Sequence, residues 1–238
     1  MVLFCDREKN KAMYMILISI VPAVFTFIYI SRRMCIKKIK ESLDMEMNDP
    51  AGKSFHRSAI QRCGVIIDKA LECVSCGDDI AVCRNHRLGA EILGVMRKRI
   101  GEYPGRGDGE DNFPAIYHGY MLEATEKIAE ISRNIVTSPD FLIPLSCRCE
   151  IEMVRDSLAM VMQSIDKCLD SEGNFNAIVY EIEKERDYIK HAIEQQAEGM
   201  SYKEFDEDGV EYSYLLLLYY LHSFMSSFSQ VVRSFCNS

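Results

Sequence analysis

Residues 12–31, AMYMILISIVPAVFTFIYIS, form a run of twenty residues without a charged side chain. Twenty residues of α-helix, at 1.5 Å each, span about 30 Å, which is the hydrocarbon thickness of a bilayer. Pro22 is tolerated in such a helix because local adjustments satisfy the freed backbone groups. The sequence therefore predicts one transmembrane helix in contact with lipid, preceded by a short N-terminal tail, residues 1–11.

The residues that flank the apolar run indicate how it is processed and oriented. Arg32 and Arg33 follow it directly, where a cleaved signal peptide would carry small residues, so we expect retention as a signal anchor. Five basic residues lie in 32–40, against three before the run. The positive-inside rule then favours an outer N-terminus and a cytosolic body in a single-pass protein. A body on the exoplasmic side is the alternative.

Negative charge is concentrated after the apolar run. The chain has 28 Lys/Arg and 36 Asp/Glu; residues 1–40 hold 8 and 2 of these, which leaves 20 and 34, a net charge of −14, in residues 41–238. Proteins that bind nucleic acid present basic surfaces, so we predict no nucleic-acid partner. Other membrane or cytosolic proteins are the expected partners.

The remainder of the chain has the pattern of an all-α protein. Residues 32–56 are basic and then polar, with Pro50 and Gly52, and are interpreted as a tether. In residues 57–238, apolar side chains recur every three or four positions, which is typical of amphipathic helices. We therefore predict an N-terminal transmembrane helix followed by a bundle-like domain of five or six helices.

Three details of this domain are predicted from local signals. Asp79 is the expected N-cap of the second helix of an αα-hairpin, and residues 101–114, with four Gly and two Pro, form an acidic Gly-rich loop. Residues 212–235 are long and apolar, but Ser, His, Gln and Arg dilute them, so we interpret them as a core helix. A second membrane span is the alternative.

The ten cysteines permit several interpretations. Cys73, Cys76, Cys83 and His86 are four zinc-competent ligands within fourteen residues, which predicts a zinc-binding module as one alternative. Cys73 and Cys83 also continue the apolar stripes of two amphipathic helices, so core or surface thiols without a cofactor are the first interpretation. An exoplasmic domain with disulfide bonds is a further alternative.

Other side chains suggest binding rather than catalysis. One helix has a basic side that could meet anionic lipid head groups or an acidic partner, or simply be solvated; it consists of Arg84, Arg87, Arg97, Lys98 and Arg99. The GxGxxG, GxSxG and HExxH motifs do not occur, and His118 and His191 are placed on polar-leaning helix positions. We therefore predict a non-enzymatic docking or adaptor protein without catalytic residues.

Several short motifs resemble one protein family. A single span followed by Arg32-Arg33, then Gly89-Ala90-Glu91 in a helix, then Gly109-Glu110-Asp111 with Phe113, is similar to the small single-span accessory subunit of the fungal post-translational protein translocon. The resemblance covers at most residues 12–140. It implies an endoplasmic reticulum protein whose cytosolic helical domain docks larger translocon subunits, with no catalytic residue to transfer.

Overall fold

A computed structural model gives the architecture of the chain. It describes the backbone of residues 2–46, 53–102, 113–138, 145–171, 175–200 and 210–236, and the side chains of residues 20–42, 57–100, 116–138, 147–165, 175–198 and 212–234. Within these ranges every regular element is an α-helix and no strand occurs. The predicted all-α class is confirmed.

Seven helices make up the described backbone. They are α1 (Val2–Glu46), α2 (Lys53–Cys76), α3 (Asp79–Glu102), α4 (Phe113–Thr137), α5 (Leu145–Ser171), α6 (Phe175–Met200) and α7 (Val210–Cys236). The chain divides into two units, Met1–Ser42 and Leu43–Ser238. Most of the predicted loop 101–114 lies outside the described residues, but its ends belong to α3 and α4.

The first unit is built on α1, which continues without interruption through Pro22. The helix also extends through residues 32–46, which the sequence assigned to the tether, and α2 begins at Lys53. The predicted tether is therefore helical at residues 32–46 and 53–56, and residues 47–52 lie outside the described ones. Lys37 and Glu41, 3.6 Å apart on successive turns, help to explain the helix because such pairs favour helical backbone.

The turn between α2 and α3 shows how the hairpin closes. Gly77, at a φ of 71°, ends α2, and its N–H donates to the carbonyl of Cys73 at 2.8 Å. Asp78 then caps α3, because its Oδ1 accepts from the N–H of Ala81 at 2.8 Å. The predicted cap, Asp79, is instead the first residue of the helix. Two adjacent aspartates could not be separated by sequence, since either satisfies the capping preference.

Helix α4 lies in the interior and packs on α2, α3 and α7. The buried face of α4 is wide and includes Leu122, Thr125 and Ser132. It also includes His118, which is 1% exposed, so the expected polar, solvent-facing position of this histidine is wrong. His191 is exposed and lies 3.3 Å from Glu194, in agreement with its expected position.

Helix α7 forms the other half of the core, between α4 and α6. Leu217, Phe224 and Phe228 are fully buried, and the rings of the two phenylalanines lie 5.6 Å apart. Among the described residues, Tyr212–Ser234 has the length and apolar composition needed to cross a membrane, and 56% of its most apolar window is buried in the protein. In this structure the segment is a core helix.

Helices α5 and α6 complete the body as an antiparallel pair, in which α5 also packs on α2 and α6 on α7. On α6, Glu183 pairs with Arg233 of α7 and Arg186 with Asp187. Glu183 is therefore not paired with Arg186, the basic residue three positions along the same helix. The reason is that α7 offers Glu183 a partner that helical spacing cannot reveal.

Candidate docking groove on helices α5 and α6

The outer faces of α5 and α6 enclose an open groove of about 650 Å³, here called the α5–α6 groove. Val161 of α5 and Ile178 of α6 are buried at its base. The groove is lined by Ser157, Met160, Val161 and Ser164 from α5, and by Ala177, Ile178, Tyr180, Glu181, Lys184 and Glu185 from α6.

Large apolar side chains lie exposed along this groove. Met160 is 63% exposed and Tyr180 is 66% exposed. Further along the same two helices, the Tyr188 hydroxyl donates to the sulfur of Met153 at 4.0 Å, which extends the apolar surface beyond the lining residues. Methionine and tyrosine together are typical of protein-binding surfaces, since one adapts its shape and the other adds a rigid ring with a polar tip.

Two carboxylates and one ammonium group lie among these apolar side chains. Lys184 Nζ is 4.0 Å from Glu181 Oε2, at the edge of ion-pair distance. Glu185 is half-buried and also lines a small space beneath the groove, next to Leu158 and Ile189. No ion pair joins Glu185 to a cation within the described part of the chain. The groove therefore contains an unbalanced negative charge in apolar surroundings.

The charge of Glu185 acts on the neighbouring tyrosine. Burial raises the pKa of the Tyr188 hydroxyl above its ordinary value, and the carboxylates of Glu150 and Glu185 raise it further. A phenol with a raised pKa remains a neutral hydrogen-bond donor at physiological pH. The arrangement can bind apolar and cationic groups.

The predicted zinc ligands are not brought together. Cys73 is buried in α2, and its sulfur accepts a hydrogen bond from Asn85 Nδ2 at 3.6 Å. Cys83 and His86 instead line a shallow surface cavity with Arg133, and Cys76 is exposed. Among the described residues, no group of three or more His, Cys, Asp or Glu is arranged to hold a metal ion. The structure therefore does not show the four-ligand group that the zinc-binding alternative requires.

None of the cysteines whose side chains are described is joined in a disulfide bond; they are Cys35, Cys63, Cys73, Cys76, Cys83, Cys147 and Cys149. Cys73 is a core residue, as its stripe predicted, and so is Cys63, whereas Cys83 is exposed. Cys168 lies outside the residues whose side chains are described. These seven side chains therefore form no disulfide bond, and the exoplasmic domain with disulfide bonds stays an alternative prediction.

The basic side of α3 is partly neutralised. Arg97 pairs with Glu126 of α4 at 2.6 Å. Arg84, Arg87 and Lys98 are exposed, whereas Arg99 is half-buried. On the same helix, burial makes the largest contribution to lowering the pKa of the His86 imidazole, and the positive charge of Arg133 lowers this pKa further. A neutral His86 imidazole does not add to the attraction of anions. The exposed Arg84 and Arg87 remain a candidate surface for binding lipid or a partner protein.

The groove was missed because its residues lie on helix faces that looked polar. Met153 and Met160 are seven positions apart on α5, and Tyr180 and Tyr188 are eight apart on α6. Such spacings place each pair on one side of its helix, so each helix has a second apolar stripe. That stripe was the available signal, but only the antiparallel packing of α5 and α6 joins the two stripes into one surface.

No protein family model, curated protein or solved structure matches the chain. The resemblance to the translocon accessory subunit thus stays a prediction from short motifs. Gly89-Ala90-Glu91 lies in the middle of α3, and Gly109-Glu110-Asp111 lies outside the described residues.

Proposed function

We propose that this chain is a membrane-anchored docking protein without catalytic activity. In this proposal α1 anchors the chain through residues 12–31, the helical body lies in the cytosol, and the body binds another protein through its exposed apolar surface. The orientation is supported by the excess of basic residues directly after the apolar run. The lack of disulfide bonds among the described cysteines fits a reducing compartment.

One observation carries the membrane part of the proposal: nine large apolar side chains of α1 are exposed, at 45–71% of their surface. These residues are Ile20, Val21, Val24, Phe25, Phe27, Ile28, Tyr29, Ile30 and Met34. At 100° per residue they point in every direction around the helix axis. Full burial of one such side chain is worth about 1.5–3 kcal/mol, so water is an unfavourable environment for all sides of this helix, and lipid is a favourable one.

The polar groups of the same segment are compatible with lipid. The hydroxyl of Thr26 donates to the carbonyl of Pro22 at 2.7 Å, which satisfies the hydroxyl inside the helix. Hydrogen bonds of this kind remove the cost of placing a threonine in hydrocarbon. Tyr29 lies near the end of the run, where tyrosine suits the interface between lipid and water.

Extraction with alkaline carbonate tests the anchor. We expect the full chain to remain in the membrane pellet, and a chain without residues 1–40 to move to the supernatant. A Val24→Asp, Ile28→Asp double variant should be released or poorly inserted, because a charged residue at a span centre costs about 2.5–3.5 kcal/mol, while Val24→Ala, Ile28→Ala is the matched control. Retention of the truncated chain in the pellet would contradict the anchor.

Protease protection tests the orientation. In sealed vesicles with the cytosolic face outward, a C-terminal tag should be digested and an N-terminal tag protected. The reverse pattern would place the body on the exoplasmic side.

Site-specific photo-cross-linking in native membranes tests docking. A cross-linking residue is placed at Tyr180 in the α5–α6 groove, and others at Ile80 and Tyr219, which are exposed on α3 and α7. Docking predicts a discrete cross-linked protein from at least one of these positions. A body that yields no cross-link from any of them would contradict the docking function.

A further inference from the structure

We propose that the α5–α6 groove binds an amphipathic helix of a partner protein, and that this helix presents a basic side chain to Glu185. The inference rests on the proposed docking function and adds the chemical class of the partner. It follows from the position of an unpaired, half-buried carboxylate within an exposed surface of methionine and tyrosine.

The dimensions of the surface fit a short helix. From Met153 to Ser164 the α5 wall has twelve residues, and the eleven steps between them span about 16 Å at 1.5 Å each. This length matches three turns of a partner helix, which offers apolar anchors at positions i, i+4 and i+7. Exposed Met160 and Tyr180, on opposite walls, are placed to contact such anchors.

The charges favour a basic partner. Lys184 already lies 4.0 Å from Glu181, so the second carboxylate of the groove, that of Glu185, is left without a cation in the described part of the chain. Its neighbours Leu158 and Ile189 are apolar, which strengthens an ion pair formed there relative to one in open water. The net charge of −14 over residues 41–238 attracts a basic segment over a longer distance.

A second copy of this chain is a less suitable occupant. Two copies that met groove to groove would bring two Glu185 carboxylates into one interface, since such a contact is symmetric. Two bodies of the same negative charge also repel each other. A basic helix avoids both costs.

The experiment uses the full chain in zwitterionic lipid nanodiscs and measures the fluorescence anisotropy of labelled peptides, with empty nanodiscs as the baseline. The probe is a fifteen-residue helix with Leu at i, i+4, i+7 and i+11, and with Ala and Lys elsewhere. One control peptide has Glu in place of every Lys, and another has the same composition in an order without an apolar face. The variants are Glu185→Gln, Met160→Ala and, as a matched control on α6 outside the groove, Glu198→Gln.

We expect the basic amphipathic peptide to bind the wild-type chain at least tenfold more tightly than either control peptide. Glu185→Gln should weaken that binding about tenfold, because the ion pair is lost while the shape is kept, and Met160→Ala should weaken it several-fold. Glu198→Gln should leave it unchanged. Circular dichroism should show the same helix content for all variants.

Three results would overturn the inference. These are binding no tighter than to empty nanodiscs, equal binding of the basic and acidic peptides, and equal binding to wild type and Glu185→Gln. Dimers of the wild-type chain that dissociate on Met160→Ala would also overturn it, since a second copy would then cover the groove. None of these results alters carbonate extraction or the cross-links from Ile80 and Tyr219, so failure of this inference is distinguishable from failure of the docking function.

Discussion

Arg155 of α5 donates a 2.6 Å hydrogen bond from its Nε to Oδ1 of Asp68 on α2. The side chains are 29% and 35% exposed, and Arg155 also lies 3.9 Å from Glu72. The hydrogen bond with Asp68 makes the largest contribution to raising the pKa of the Arg155 guanidinium above its ordinary value. The pair joins α5 to α2 on the side of α5 away from the groove, and so supports one wall of the groove.

We expect Arg155→Met to lower the free energy of unfolding by about 1 kcal/mol, because the half-buried carboxylate of Asp68 loses its closest partner and keeps only Lys69, 3.8 Å away. Lys127→Met is the matched control, since Lys127 forms a more exposed 2.9 Å pair with Glu130 within α4, and it should cost less than about 0.5 kcal/mol. Denaturant titration of the full chain in micelles measures both. Equal losses of unfolding free energy in the two variants would contradict the expected difference between the half-buried pair and the more exposed pair.

The cap of α3 makes a second prediction. Asp78→Ala should destabilise the chain by about 1 kcal/mol, because the N–H of Ala81 loses its acceptor. Asp79→Ala should cost less, since Asp79 contributes only a negative charge to the first helical turn, worth about 0.3–1 kcal/mol when exposed. Thermal unfolding of the two variants checks the order, and a larger loss for Asp79→Ala would contradict the assignment of the cap.

Replacement of two glycines of α3 by alanine should have different effects on stability. A Cβ at Gly94 would meet nothing within 4 Å, so Gly94→Ala should stabilise the chain by about 0.5–1 kcal/mol through helix propensity. A Cβ at Gly89 would lie 3.2 Å from Cγ2 of Ile66, a buried, β-branched side chain with little freedom to move.

Gly89→Ala should therefore gain less than Gly94→Ala, or lose stability. Denaturation midpoints of the two variants, measured side by side, give the comparison. The expectation is wrong if Gly89→Ala is at least as stabilising as Gly94→Ala.

The buried stripes were predictable from sequence, and the surface was not. Ile60, Cys63, Ile67 and Leu71 recur at helical spacing, and all are fully buried in α2, because a single face of one helix determines which residues enter the core. The α5–α6 groove, in contrast, depends on which two helices become neighbours. No periodicity within α5 indicates that Met160 will lie across from Tyr180.

The same limit explains the incorrect prediction for His118. Its helix position looked polar from the sequence, but α4 packs on α2, α3 and α7 and buries a wide face that includes this histidine. The zinc hypothesis relied on spacing along the chain. The hairpin places Cys73 next to Asn85 and Cys83 next to His86. Spacing within one helix therefore corresponds to proximity, but no group of three or more ligands forms across the hairpin in the described residues.

Cys63 allows a prediction about alkaline pH. Burial raises the pKa of its thiol from 9.0 to about 12, while a hydrogen bond with Thr125 acts in the opposite direction. Because the pKa is higher in the folded chain than in the unfolded chain, the thiol contributes its full stability below pH 9. That contribution is lost as the pH rises from about 9 towards 12, when the unfolded thiol ionises first.

The comparison with Cys63→Ala isolates this effect from other groups that titrate at high pH. Alanine does not ionise, so the stability advantage of the wild-type chain over Cys63→Ala should shrink by about 1 kcal/mol between pH 9 and pH 10. Urea denaturation of both chains across pH 7–10.5 measures the difference. If the unfolding free energies of the two chains changed in parallel with pH, the burial of the Cys63 thiol would be contradicted. Maleimide labelling of the folded chain gives a second test: exposed Cys76 and Cys83 should react first, and rapid labelling of Cys63 would also contradict its burial.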